Sequence, residues 1–196
     1  MVMFVGYRSR NELAKRMCTQ ILAHLTRDRI NIFHLMHHVD GFLDALVEAS
    51  GSGDIVRRKY AWMAIQNISY SKNCLGILGN TPALLDNLCR CCQDVEESYE
   101  TQVACMVTLR NLCQRSENIK RMFDVHLFMT TVFACLRTRE LNKGRPELVL
   151  LAQEILNTIV LLVRKFIQRN LPSNESENPD DLGLPSGNHV GWHLFE

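Results

Sequence analysis

Apolar residues recur at intervals of three and four along most of this 196-residue chain, the spacing that lays them on one face of an α-helix. Leu13, Met17, Ile21 and Leu25 form one such stripe. Tyr60, Ala64, Ile65 and Ile68 form a second, and Val149, Ala152, Ile155, Leu156 and Ile159 a third. No run alternates apolar and polar positions over strand length, so the pattern predicts an all-α protein. Most of the 5 prolines and many of the 10 glycines fall after residue 170 or at punctuation points between stripes.

The predicted helices are related to one another. Ala64-Ile65-Gln66-Asn67-Ile68-Ser69 is echoed by Thr108-Leu109-Arg110-Asn111-Leu112-Cys113 and by Glu154-Ile155-Leu156-Asn157-Thr158-Ile159, with Ile21-Leu22-Ala23-His24-Leu25-Thr26 a weaker echo. The anchors His24, Asn67, Asn111 and Asn157 stand 43, 44 and 46 residues apart. After each of the first three comes a polar turn with an Asn (Asn31, Asn73, Asn118). A short apolar helix follows, and then a further one, at Phe42–Leu46, Ala83–Leu88 and Leu127–Leu136. No triplet of this kind can bury its apolar faces alone, whereas stacked triplets share a continuous core. The pattern therefore predicts a solenoid of about four units, near 10–50, 51–93, 94–137 and 138–170.

The repeat resembles the armadillo family, the α-solenoid of importin-α and β-catenin, with HEAT repeats second. Ala61, Ile65, Asn67, Ile68, Ser69, Asn73, Ile77, Pro82, Leu84, Leu85 and Leu88 fall on the family pattern, and Val103, Leu109, Asn111, Leu112, Asn118 and Ile119 repeat much of it. The resemblance spans about residues 10–168 and implies a right-handed superhelix whose longest helices line a concave groove. It also implies a non-catalytic module that binds a protein or an extended peptide there, through Asn67, Asn111 and Asn157 with Met63, Tyr60 and Arg110 beside them. An amide carries both a donor and an acceptor and matches a peptide unit laid along the groove; the same amide can equally tie one unit to the next. The tryptophan ladder of importin-α is missing, because Gln20, Met63, Val107 and Gln153 stand four residues before the anchors and Trp62 is one place out of register. That weighs against a transport adaptor relative to an adhesion or signalling one. A basic groove built from Arg57, Arg58, Lys59, Arg110, Arg115 and Arg164 is a further expectation.

Charge and composition narrow the classes. With 22 Lys+Arg against 21 Asp+Glu, no net field favours nucleic acid or an anionic membrane. No signal peptide and no uninterrupted membrane-length run is read, so an intracellular location, cytoplasmic and possible also in the nucleus, is expected for the 8 cysteines as thiols. Residues 171–196, with Pro172, Pro179, Pro185 and the acidic stretch Glu175 to Asp181, are expected to form a disordered acidic tail ending in the apolar Val190–Phe195. Cys89, Cys91 and Cys92 lie in an apolar helix without the second Cys-x-x-Cys that a zinc ribbon needs, which makes them core residues rather than ligands. His34-x-x-His37 with His38 has no recognised metal frame, and a Cys–His nucleophile is not specified by any spacing. No phosphate loop or serine-hydrolase motif is present. The expectation is thus no enzyme, no cofactor, no metal and no small-molecule substrate, with oligomeric state left open.

Overall fold

The computed structural model describes residues 9–137 and 146–170; the tail beyond 170 and the linker 138–145 lie outside the described residues. Ten helices occupy that span: α1 (Glu12–Leu25), α2 (Arg29–His38), α3 (Phe42–Ser50), α4 (Ile55–Ser69), α5 (Leu75–Gly79), α6 (Pro82–Gln93), α7 (Tyr99–Leu112), α8 (Ser116–Asp124), α9 (Leu127–Arg137) and α10 (Pro146–Asn170).

Their limits follow from local chemistry. Asn11, Asp28, Asp54 and Ser98 stand before α1, α2, α4 and α7, and each accepts hydrogen bonds from first-turn amides that have no partner within the helix. Pro82 opens α6, where a missing N–H costs nothing. Gly41 turns the chain into α3 at φ 72°, a left-handed conformation that disfavours any residue with a Cβ.

The helices pack in a repeating neighbour pattern. The long helices α1, α4, α7 and α10 stack in that order as one layer, each against the next. Helices α3, α6 and α9 stack as a second layer behind them, and the short α5 and α8 meet at one edge. Each long helix after the first also rests on the second-layer helix just before it in sequence: α4 on α3, α7 on α6 and α10 on α9. One hydrophobic cluster runs from Leu22 in α1 to Ile159 in α10 and includes Trp62, Phe42 and Phe128, each almost wholly buried. It threads all the units instead of closing within any one, as stacked repeats require.

The long helices differ in how much they hide. Helix α7, covered by α4 on one side and α10 on the other, buries ten residues, among them Met106 and Val107. Helix α1 has a neighbour on one side only and exposes Leu13, Met17 and Ile21. Helix α10 is the one helix among the described residues whose length and composition would allow it to cross a membrane. Here its face formed by Leu148, Leu151, Ala152, Ile155 and Ile159 is buried, and the helix packs against α7 and α9.

Candidate functional site

The long-helix layer carries the polar residues singled out from the sequence, and the structure divides them. Asn67 on α4 is half-buried and donates its Nδ2 to the Ala23 carbonyl and to Thr26 Oγ1, both at 3.3 Å on and just after α1. Asn111 on α7 is buried and donates to Ser69 Oγ at 2.9 Å, while its Oδ1 accepts from Arg110 Nε and Nη2 at 3.3 and 3.1 Å. In both cases the hydroxyl stands two residues after the preceding unit's anchor. At the next step that position is Cys113, a poor acceptor whose Sγ lies 3.9 Å from Met122 Sδ. Asn157 on α10 is exposed and makes no hydrogen bond among the described residues. Two of the three amides thus hold neighbouring units in register, and the third is presented to solvent.

A second family of asparagines sits at the helix junctions. Asn118 is fully buried and donates to the Leu75 carbonyl at 2.9 Å and the Leu112 carbonyl at 3.2 Å, tying α8 to α5 and to the end of α7. Asn31 makes the matching bond to the Leu25 carbonyl at 3.2 Å. In the second layer, Asn87 donates to Ser50 Oγ at 3.2 Å and reaches the Val47 carbonyl at 3.5 Å, a tie that the sequence pattern did not single out. The signal for the first group was the Asn repeated in each turn; Asn87 has no counterpart at the same place in the other units.

The expected basic groove is largely neutralised by carboxylates, four of its six cations meeting one from a neighbouring unit and Arg115 one from its own, while Arg164 makes no ion pair among the described residues. Arg57 pairs with Glu48 at 3.2 Å, Arg58 with the buried Glu97, Lys59 with Glu100 at 2.5 Å, Arg110 with Glu154 at 3.2 Å and Arg115 with Glu117 at 3.6 Å. Arg16 joins Asp54 at 2.7 Å. Burial opposes the charge of Asp54, but the amides of Arg57 and Val56 and the Arg16 guanidinium outweigh it and hold the carboxyl below its ordinary value. Lys59 likewise lowers Glu100. These pairs bridge α1 to the start of α4, α4 to α7 and α7 to α10, so the layer carries alternating charge.

Between α4 and α7 the layer leaves a shallow cavity of about 280 Å³ lined by Lys59, Met63, Gln66, Glu100, Thr101 and Ala104. Met63 is therefore on a recessed, partly exposed surface. Tyr60, one turn away on the same helix, is half-buried with its ring 6.3 Å from that of His24 on α1. Val107, at the place equivalent to Met63 one unit on, is buried, and Trp62 points into the core. Gln66 and Glu100 were not among the expected site residues, and Lys59 was expected only as part of a basic groove. They reach the cavity only because α4 and α7 pack side by side.

The other candidates are placed as follows. Cys74, Cys89, Cys91, Cys92, Cys105, Cys113 and Cys135 are buried thiols, and Cys18 is half-buried. Burial pushes Cys89, Cys113 and Cys135 up to about 12, and Cys105, wholly enclosed with its Sγ 3.2 Å from Cys91 Sγ, is raised well above its ordinary value. A thiol in that state is not a nucleophile at neutral pH. His34, His37 and His38 are exposed on α2 around Phe33, whose ring lies 4.6 Å from that of His37. Among the described residues no group of three His, Cys, Asp or Glu side chains converges as a metal site would.

A stacked series of helix triplets is the architecture of armadillo repeat solenoids. Solved structures agree. A computationally designed armadillo repeat protein for modular peptide recognition matches with a TM-score of 0.69 at 18% identity, over 85% of this chain and 68% of that one. A second designed armadillo repeat protein matches with a TM-score of 0.67, again at 18% identity over 85% of this chain and 68% of that one. An engineered protein matches with a TM-score of 0.62 at 19% identity, over 80% of this chain and 60% of that one. No family model matches the sequence, and no curated protein matches it. The likeness is therefore one of fold.

Proposed function

We propose that the chain is a non-catalytic interaction module that binds a peptide segment or partner protein along the layer formed by α1, α4, α7 and α10. The observation that carries this reading is the combination, on one layer, of the recess at Met63 and the free amide of Asn157. Tyr60 and Arg110 line the same layer. Asn67 and Asn111 support it indirectly, by holding α1, α4 and α7 in register. Armadillo folds generally serve peptide and protein binding, and one of the matched designs was made for peptide recognition. Because the cations of α4 and Arg110 of α7 are paired, that part of the layer favours a partner of mixed or low charge over a strongly acidic one. A nuclear or cytoplasmic adaptor role and an intracellular location accord with the thiol-rich core.

The test is selection from a displayed random-peptide library on the immobilised protein, followed by binding isotherms for the enriched peptides. Met63→Ala and Asn157→Ala should each weaken binding about tenfold without unfolding the protein, the loss of about 1.4 kcal/mol from one well-placed contact. Failure of any peptide to enrich over a denatured control would sink the reading, as would peptides indifferent to both substitutions.

A further inference from the structure

A second recess is built by α2 and by the turn between α4 and α5, outside the long-helix layer. It encloses about 420 Å³, within the roughly 300–1,000 Å³ of small-ligand sites. Arg29, Phe33 and His37 stand four residues apart on α2 and so share one face over roughly 12 Å. The other wall brings Tyr70, Ser71, Lys72 and Asn73. Phe33 is 55% exposed and Tyr70 52%, so each wall carries a half-open aromatic ring. The His37 ring leans on Phe33 at 4.6 Å. Arg29 and Lys72 make no ion pair among the described residues, and no carboxylate lines the recess. Asp28, next to Arg29, is engaged in capping α2 through the Ile30 amide at 2.8 Å. Asp40 and Asp44 line an adjoining recess that shares His37.

The turn at Asn73 departs from its counterparts. Asn31 and Asn118 stand seven residues after their anchors His24 and Asn111, and each donates to a carbonyl, that of Leu25 or Leu112. Seven residues after Asn67 comes Cys74, which is buried at the junction, and the asparagine is displaced by one residue into the wall of the recess. Asn73 is exposed. Neither its side chain nor its backbone amide makes a hydrogen bond among the described residues, and the Lys72 amide makes none either. Two cations, two backbone N–H groups, a carboxamide and two rings thus meet without partners.

Each part of that set constrains a ligand. Arg29 and Lys72 beside free N–H groups suit a phosphate. Phe33 and Tyr70 suit a flat ring, because stacking asks for a π-face and no particular edge. The Asn73 carboxamide, one donor beside one acceptor, suits a ring with the same pair at its edge, as adenine has in N6 and N7. A phosphotyrosine side chain meets the first two conditions and leaves Asn73 unanswered.

We propose that this recess binds an adenine nucleotide, its phosphate against Arg29 and Lys72, its base on Phe33 and Tyr70 and the base edge at Asn73. The volume suits one nucleotide, and a formal net charge of +1 gives no field to hold a long strand. The site is separate from the long-helix layer and does not depend on peptide binding there.

The test is calorimetric titration of the full chain with AMP and ADP, with ¹H–¹⁵N spectra of the labelled protein to locate them. Both should bind, and the amides of Lys72 and Asn73 should shift while those of α7 stay in place. Arg29→Ala combined with Lys72→Ala should weaken AMP binding by more than about tenfold, and Phe33→Ala by about tenfold. Asn73→Ala should remove the preference for AMP over CMP. All four positions are exposed, so the variants should melt as the wild type does, and Met63→Ala should bind AMP unchanged. The proposal is overturned if neither nucleotide binds at millimolar concentration. It is equally overturned if inorganic phosphate binds as well as AMP and Phe33→Ala changes nothing, which would leave a bare anion patch. A phosphotyrosine peptide that binds more tightly than AMP would also overturn it and assign the recess to a phosphopeptide.

Discussion

Asn111 Nδ2 lies 2.9 Å from Ser69 Oγ, and this bond crosses from α7 to α4 in a site closed to solvent. The corresponding bond from Asn67 reaches Thr26. The series ends at α10, because Cys113 replaces the hydroxyl that Asn157 would need. One residue type in one repeated motif thus has two physical roles, set by the residue it faces a unit earlier.

Stability and binding should separate along that line. Asn111→Ala takes a donor from Ser69 Oγ, which keeps its own bond to the Gln66 carbonyl, and removes an acceptor from Arg110, and should lower unfolding free energy by about 2 kcal/mol. Asn157→Ala, at an exposed position, should fall within about 0.5 kcal/mol of the wild type. Urea unfolding measures both. A costly Asn157→Ala with a harmless Asn111→Ala would reverse the assignment made here.

Gly79 is needed for contact between α5 and α8. A Cβ built there meets Asn118 Oδ1 at 2.0 Å and Asn118 Cγ at 2.4 Å. Asn118 cannot retreat without giving up its bonds to the Leu75 and Leu112 carbonyls. Gly79→Ala should therefore destabilise by about 3 kcal/mol, at the upper end for overpacking because buried hydrogen bonds go with it. Gly53, with nothing within 4 Å of its added Cβ, is the control and should accept alanine with little effect. Thermal denaturation of the two variants decides.

Acid should loosen the junction between α1 and α4 through Asp54. Its carboxyl pKa is lowered in the fold from the ordinary 3.8. Its contribution is therefore fully present above that value and is lost as pH falls through the depressed one. Asp54→Asn keeps an amide oxygen able to cap α4 but loses the charge that Arg16 meets. At neutral pH the variant should be less stable by about 1 kcal/mol, since Arg16 is partly exposed and solvent screens the pair. That difference should shrink as pH falls below 3.8 and vanish once it passes below the depressed value. A gap that stays constant across a pH series of melting curves would show that the ion pair does nothing for stability.

Thiol chemistry should report the core. Cys18 is half-buried and the other seven cysteines are buried, several with pKa values displaced to about 12 by desolvation. Ellman's reagent at neutral pH should titrate about one thiol rapidly in the native protein and all eight after guanidinium unfolding. Rapid native reaction of Cys105, whose Sγ meets Cys91 of α6, would contradict the packing of α6 against α7 when mapped by mass spectrometry.

Much of the architecture was legible in the chain. The three-and-four spacing of Tyr60, Ala64, Ile65 and Ile68 marks a helix without reference to anything distant, and Asn11, Asp54 and Ser98 mark starts through bonds to amides two or three residues on. The Asn in each turn likewise announced the junctions at Asn31 and Asn118. Asn67, Asn111 and Asn157 all emerged from the same repeat, so local sequence gave them one common role.

What separates them lies outside the motif. The sequence by itself determined the helices, their period and the need to stack, because apolar periodicity and capping act within a few residues. Only the tertiary structure decided which amide is tied and which is presented, which cations are neutralised and where a recess opens. Ser69 faces Asn111 across 42 residues, Lys59 faces Glu100 across 41, and Arg110 faces Glu154 across 44. Contacts between adjacent units depend on the register in which long helices pack, and burial from both sides, as at α7, is a property of the stack and not of the helix.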